Sequence, residues 1–112
     1  MLRDYKLYLE DILESIETIN SYIEGMDLDS FSNDRKTVDA VVRNLEIIGE
    51  ASRRLPSELR TRYPDIEWAR IIALRNIIVH DYPSINLRII WSITKNNLPI
   101  LDERIKKIID EI

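Results

Sequence analysis

The sequence has no cysteine, one histidine, two glycines and four prolines among its 112 residues. Without cysteine the chain can form neither a disulfide bond nor a thiolate site. A zinc site would need carboxylate ligands almost alone, so we expect no metal and no other cofactor. The scarcity of glycine and proline, beside abundant Leu, Ile, Glu, Lys and Arg, is typical of helical proteins.

Long apolar segments are also missing. No apolar run approaches the roughly 20 residues that cross a membrane, and the first six residues mix both charges instead of forming an apolar signal core. We therefore expect a cytoplasmic chain without membrane contact. The length predicts one domain over residues 1–112, small enough that a second subunit would help to bury apolar surface.

The net charge of -4 is unevenly distributed. Residues 1–34 carry two basic and nine acidic side chains, whereas residues 43–75 carry seven arginines against five acids. The first helix is thus predicted to have an acidic face. The arginines are either an ordinary solvated surface or a local site for an anion; they are Arg43, Arg53, Arg54, Arg60, Arg62, Arg70 and Arg75.

Apolar residues three and four positions apart predict the helices. The first helix is expected from about Arg3 to Glu24, ended by Gly25, and is followed by a polar loop over residues 26–34. The second is expected over residues 35–55 and is stopped by a proline. Gly49, inside this helix, would let another helix approach closely, at a propensity cost of about 1 kcal/mol.

The second half of the chain continues in the same way. Residues 56–64 predict a turn with one helical turn, and a third helix is expected from an N-cap at Asp65 to His80 or Asp81. A fourth helix is expected from near Ser84, with Pro99 kinking or splitting it. These segments predict an all-α fold, an antiparallel bundle of four to five helices whose last helix is kinked near Pro99.

One segment gathers polar groups at the end of an otherwise apolar helix. It contains Arg75, Asn76, His80 and Tyr82. On a helix Asn76 and His80 share a face, Arg75 lies on its flank, and the proline after Tyr82 would end the helix and let this side chain return beside His80. The only histidine of the chain is also the side chain whose ordinary pKa of about 6.5 suits proton transfer near neutrality.

These residue types suit metal-free RNA cleavage. A histidine can take a proton from a ribose 2′-hydroxyl or give one to a leaving oxygen, and an arginine can hold a phosphate by two parallel hydrogen bonds. Because one histidine cannot easily do both, a symmetric dimer would supply the second. The motif alone is weak evidence, since a helix dipole also favours a purely structural histidine at a helix C-terminus.

The segment Arg75-Asn76-x3-His80-x-Tyr82 resembles the R-x4-H-x-Y motif of the HEPN superfamily, and more narrowly that of the HepT-like toxins of prokaryotic toxin–antitoxin modules. Gly49-Glu50-Ala51 is similar to the Gly-Glu-Ala of that family. Further agreement comes from Trp68, Trp91 and Leu98-Pro99. Departures include Glu67 and Ala73-Leu74, where many relatives have proline and Gly-Met.

The resemblance implies a helical homodimer that cleaves RNA without metal, with Arg75 and His80 as catalytic residues and Asn76 as an auxiliary. It also implies a minimal nucleotidyltransferase antitoxin as partner, which would transfer AMP from ATP to Tyr82. The alternative hypotheses are a non-catalytic helical dimer that binds a nucleotide or partner and uses the motif only as a modification site, and a purely structural dimer.

Three other side chains have simpler interpretations. Trp68 and Trp91 are predicted to be core or interface anchors rather than platforms for stacking bases. Glu50 lies beside the apolar face of the second helix and is either solvated or paired with an arginine such as Arg75.

Overall fold

The structure, a computed structural model, describes residues 4–81 and 86–112, and of residues 77–81 the helical backbone alone. Its elements are, in chain order, α1 (Tyr5–Ile23), α2 (Leu28–Ser32), α3 (Arg35–Arg54), α4 (Ser57–Arg62), α5 (Trp68–Asp81), α6 (Leu87–Ser92), a π-helical turn (Ile93–Asn97) and α7 (Leu98–Glu111). The described ranges contain no strand, and the predicted all-α bundle is confirmed.

The core joins the apolar faces of the long helices. α1 packs along α3 and α7, and α3 packs along α5. The side chains at the centre are fully buried, among them Leu9, Ile12, Ile16, Leu45, Ile48 and Ile105. Because α3 lies between α1 and α5, the residues at its C-terminal end can contact both neighbours.

The ends of the first two long helices follow from local chemistry. Asp4 Oδ1 accepts a hydrogen bond from the Lys6 amide at 2.9 Å, and Asp34 Oδ1 accepts one from the Thr37 amide at 3.1 Å. Each carboxylate thereby satisfies an amide that the first helical turn leaves unpaired. After α1, Gly25 has a φ of 77°, the left-handed conformation expected of a glycine that ends a helix.

The predicted loop over residues 26–34 is wrong, because residues 28–32 form α2. Asp27 accepts a hydrogen bond from the Ser30 amide at 2.8 Å, and the Ser30 hydroxyl accepts one from the Asp27 amide at 2.9 Å. This capping box stabilises a turn too short to show a periodic pattern. The turn buries Phe31 completely, with its ring 5.1 Å from that of Trp91.

The predicted start of the third helix is also wrong: α5 begins at Trp68, and Asp65 is not its N-cap. The Trp68 indole donates a hydrogen bond to the Tyr63 carbonyl at 3.0 Å, which holds the preceding segment in a turn. Asp65 instead forms an ion pair with Arg104 of α7, with 3.5 Å between Oδ2 and Nε. A long-range contact has therefore replaced the local capping role.

The fourth helix is interrupted just before Pro99 by a π-helical turn, while its backbone stays helical on both sides of that turn. The predicted start near Ser84 lies outside the described residues, and α6 begins at Leu87, where Asn86 accepts a hydrogen bond from the Arg88 amide. The Leu98 amide donates to the Ile93 carbonyl, five residues back, in the π-helical turn. Pro99 then occupies the first turn of α7, a position that tolerates proline.

Candidate active site

Gly49 determines how closely α3 and α5 approach. A Cβ atom at this position would lie 2.9 Å from the Ile71 carbonyl oxygen and 3.4 Å from the Arg75 amide nitrogen, both in the backbone of α5. Only a residue without a side chain fits this contact unless one helix moves. The predicted close helix approach at Gly49 is confirmed, and it brings Arg75 beside the next residue of α3, Glu50.

Glu50 is paired, which resolves the two alternatives left open by the sequence. Its Oε1 lies 2.6 Å from Arg53 Nη2 and 3.1 Å from Arg54 Nε. Its Oε2 lies 3.3 Å from Arg53 Nε and 3.4 Å from Arg75 Nε. We call these four residues the Glu50 cluster; its three guanidinium groups surround one carboxylate and come from two helices.

The cluster holds its carboxylate in the charged form. Hydrogen bonds from Arg53 and Arg54 lower the pKa of Glu50 from 4.5 to about 2, although partial burial acts in the opposite direction. The same contacts raise the pKa values of Arg53 and Arg54, and a hydrogen bond with the Tyr8 hydroxyl contributes most to the rise at Arg54. Glu50 is therefore ionised at any pH at which the protein would act.

A cavity of about 350 Å³ opens beside the Glu50 cluster, between α1, α3 and α5. Arg43 lies on its wall with Glu46, its Nη1 3.6 Å from the carboxylate Oε2. The remaining wall is mixed in chemistry and is formed by Tyr8, Asp11, Ile47, Glu50, Ala51, Arg54 and Arg75. The cavity is thus a polar space that reaches Arg75 from the side of α1.

The structure describes the predicted site residues to different extents. The side chain of Arg75 is 49% exposed, although its Nε contacts Glu50, and Asn76 is exposed as well. His80 lies in the last turn of α5 by its backbone, so it follows Arg75 by roughly 7.5 Å along the helix axis. The side chain of His80 and the whole of Tyr82 lie outside the described residues.

The seven arginines of residues 43–75 are only partly brought together. Arg43, Arg53, Arg54 and Arg75 meet at the cavity or at Glu50. Arg70 instead pairs with Glu67 on the surface, while Arg60 and Arg62 belong to α4. Tyr8 could not be identified from sequence, because a tyrosine beside the apolar stripe of an acidic helix carries no sign of a contact with Arg54.

The two tryptophans are anchors, as predicted. Trp68 is 6% exposed, and its indole nitrogen is used in the hydrogen bond to Tyr63. Trp91 packs against the core beside Phe31, and Lys95 Nζ lies 5.5 Å from the centre of its ring.

A second concave surface, the apolar groove, separates α5 from the π-helical turn and α7. It measures about 700 Å³. Two of its isoleucines are largely exposed, Ile89 at 53% and Ile100 at 52%. Apolar side chains of several elements line it, including Ile71, Leu74, Ile89, Ile93, Ile100 and Leu101. Since Ile71 and Leu74 belong to α5, the groove and the Glu50 cluster share a helix.

None of the helices that the structure describes is long and apolar enough to cross a membrane. Nor do residues 4–81 and 86–112 contain a group of three or more His, Cys, Asp or Glu side chains that could hold a metal ion, as far as their side chains are described.

Comparison with known proteins identifies the family. The family described as Ribonuclease HepT-like matches residues 12–108. A protein named "Probable ribonuclease HepT" from Thermococcus cleftensis is 37% identical over 108 residues, which are 96% of this chain and 98% of that protein. "Putative RNase MJ0127" from Methanocaldococcus jannaschii is 39% identical over 110 residues, 98% of this chain and 91% of its own length.

A longer relative contains a segment that is similar to this whole chain. "Gamma-glutamylcyclotransferase and putative RNase MJ0434", also from Methanocaldococcus jannaschii, is 40% identical over 112 residues, and this chain spans 50% of its length. No solved structure matches the chain. The family match and the near full-length relatives agree with the resemblance of the motif, and the chain belongs to the HepT-like ribonuclease family.

Proposed function

We propose that this protein is the toxin of a toxin–antitoxin module and cleaves RNA without a metal ion, with Arg75 and His80 as its catalytic residues. The observation that carries the proposal is the placement of Arg75. Its guanidinium is half exposed, is held at one edge by Glu50, and precedes the only histidine of the chain by five residues in the same helix.

The chemistry assigns one task to each residue. A neutral His80 takes the proton of a ribose 2′-hydroxyl, and the 2′-oxygen attacks the adjacent phosphorus. The bond to the 5′-oxygen breaks, which leaves a 2′,3′-cyclic phosphate and a 5′-hydroxyl once that oxygen receives a proton. Arg75 offsets the charge that grows on the phosphoryl oxygens, and Asn76 serves as an auxiliary that orients the phosphate or the ring.

Cleavage of a defined RNA should persist in excess EDTA and should be lost in His80→Ala. No step of the proposed reaction needs a metal, and the variant removes the group that moves the proton. Gel analysis of products with 2′,3′-cyclic phosphate ends would measure both effects. A folded His80→Ala protein that cuts at the wild-type rate would contradict the catalytic role and favour the alternative, a dimer that only binds a nucleotide or partner.

The proton that the 5′-oxygen needs would come from a second subunit. A homodimer formed through the apolar groove would cover Ile89 and Ile100 and place the two copies of α5 near each other. One His80 could then act as base and the other as acid in the same cleft. Exposed apolar side chains gathered along one groove support this assembly, since such surfaces mark interfaces.

The change Ile100→Asp should convert the dimer to a monomer and reduce cleavage, because it puts a charge into the proposed interface. Ile100 is already 52% exposed, so the fold itself should tolerate the change. Leu7→Asp is the matched control: Leu7 is 41% exposed and does not line the groove. Light scattering at micromolar concentration would decide, and a wild-type monomer with full activity would contradict the dimer.

The proposed antitoxin is a minimal nucleotidyltransferase encoded with the toxin and acting in the same compartment, the cytoplasm. The phenol oxygen of Tyr82 would attack the α-phosphorus of ATP, releasing pyrophosphate and losing its proton, so that AMP becomes attached. The added phosphate would compete with RNA for Arg75 and His80. Tyr82 follows His80 by two positions in the sequence, which supports interference at this site.

Incubation with the antitoxin and ATP should therefore add the mass of one or more AMP units at Tyr82 and abolish cleavage. Tyr82→Phe should cleave RNA normally and escape this inhibition, because it lacks only the acceptor oxygen. Mass spectrometry of the peptide containing Tyr82 would measure the modification. An unmodified Tyr82 in a silenced toxin would mean that the antitoxin inhibits by covering the cleft.

A further inference from the structure

We propose that Glu50 is a positioning residue, which holds the guanidinium of Arg75 so that its two terminal nitrogens face the RNA phosphate. The inference deepens the ribonuclease proposal and rests on it. Glu50 Oε2 lies 3.4 Å from Nε of Arg75, the guanidinium nitrogen that is bonded to the aliphatic part of the side chain. Contact at Nε leaves the Nη1–Nη2 edge for the two parallel hydrogen bonds that a phosphate accepts.

Glu50 can position another residue because its own carboxylate is fixed. Arg53 and Arg54, one turn further along α3, bind it at 2.6 and 3.1 Å. Tyr8 of α1 lines the same cavity as Arg54 and raises the pKa of Arg54, so the surroundings of the cluster extend to a third helix. The side chain of Glu50 is 28% exposed. It follows Gly49, the residue at which α3 makes close contact with the backbone of α5.

The charge balance of the Glu50 cluster favours an anion rather than excluding it. Three guanidinium groups against one carboxylate leave two positive charges. A one-to-one pair would have cancelled the charge of Arg75, whereas the Glu50 cluster as a whole stays positive beside the carboxylates of Asp11 and Glu46 on the cavity wall. The carboxylate thus orients Arg75 without neutralising the site.

Asp102 provides a matched comparison outside the site. It belongs to α7, is 26% exposed, pairs with Lys106 at 2.8 Å, and lines neither the cavity nor the apolar groove. If Glu50 acted only by stabilising its helix through ion pairs, then Asp102→Asn and Glu50→Gln should have similar effects. If Glu50 positions Arg75, then the two variants should differ.

The test is a double-mutant cycle of RNA cleavage. In the wild-type background Glu50→Gln should lower kcat by roughly 10- to 100-fold, with a smaller change in KM, because misplacing a catalytic group by about 1 Å has effects of this size. In the Arg75→Lys background, which has no Nε to hold, Glu50→Gln should have little further effect. Asp102→Asn should leave kcat within about 2-fold of wild type.

A second readout does not need activity. The NMR signal of the Arg75 Nε–Hε group, assigned by its disappearance in Arg75→Lys, should exchange slowly in wild type and Asp102→Asn. It should exchange at the rate of a free arginine in Glu50→Gln. Glu50→Asp, which keeps the charge but shortens the side chain by one methylene, should be intermediate in both readouts and replaces Glu50→Gln if that variant does not fold.

The outcomes separate the two proposals. Equal losses from Glu50→Gln in both backgrounds, or an unchanged Arg75 signal, would overturn the positioning role while RNA cleavage itself stands. An unaltered protein that cuts no RNA would overturn the ribonuclease proposal; the NMR signal would then still show whether Glu50 restrains Arg75, as a purely structural contact.

Discussion

Arg75→Ala should reduce the rate of RNA cleavage by roughly 100- to 1,000-fold, the loss typical when a donor that stabilises transition-state charge is removed. The reason is that the guanidinium supplies both the phosphate contact and the compensating charge. The fold should change little, because the side chain is 49% exposed and an ion pair of this kind contributes at most about 1 kcal/mol to stability. Single-turnover cleavage of one defined RNA would measure the rate.

Arg35→Ala is the control for this experiment, since it removes the same charge. Arg35 is 70% exposed, pairs with Asp39 at 3.1 Å, and stands at the start of α3, roughly 22 Å along that helix from Glu50. It should affect cleavage only through the overall potential, an effect that disappears at high salt. Equal losses in both variants would show that Arg75 acts as one charge among many.

The long helices could be predicted from sequence because each has its own repeating pattern of apolar residues. The stripes of α1 and α3 repeat over many residues, and Gly25 and Pro56 mark where those helices end. The short helix α2 could not be predicted this way. Its stability depends on Asp27 and on the burial of Phe31 against Trp91, a residue 60 positions away in the chain.

The predicted start of α5 at Asp65 was wrong for a related reason. Asp65 is a good N-cap by residue type, and local propensity alone favours a helix from that point. In the folded chain Arg104 of α7 binds Asp65, and the Tyr63 carbonyl is taken by the indole of Trp68. The ion pair between distant segments and the hydrogen bond from a side chain to the backbone therefore outweighed the N-cap preference, which considers only neighbouring residues.

Some contacts of the candidate site could likewise be predicted from sequence, and others could not. The contacts of Glu50 with Arg53 and Arg54 are three- and four-residue pairs within one helix, and spacing alone predicts such pairs. Its contact with Arg75 depends on the register of α5 against α3, which no pattern within either helix specifies. Gly49 indicated that some helix comes close, but only the fold identifies Ile71 and Arg75 as the residues it meets.

The family prediction from the motif is confirmed by relatives that match nearly the whole chain. The roles of Arg75, Asn76, His80 and Tyr82 stay predictions. Variants of single residues are the decisive experiments for these roles.

Gly49→Ala should impair both stability and cleavage, although alanine favours helices more than glycine does. The new Cβ would lie 2.9 Å from the Ile71 carbonyl oxygen, a backbone atom that cannot rotate away, so α5 must shift relative to α3. Such overpacking costs about 1–3 kcal/mol, against a propensity gain of about 1 kcal/mol. The shift also displaces Arg75 from Glu50, and we expect cleavage to fall by at least roughly 10-fold.

Gly25→Ala separates the two effects. Gly25 has a φ of 77°, and a Cβ there would meet nothing within 4 Å, so the variant strains the backbone by about 1–2 kcal/mol without touching α5. Both variants should therefore unfold at lower temperature, but at a temperature where both are folded only Gly49→Ala should cleave RNA slowly. Thermal unfolding and cleavage rates measured on the same samples would test this. A Gly49→Ala protein with wild-type activity would show that the close contact of α3 and α5 does not control the placement of Arg75.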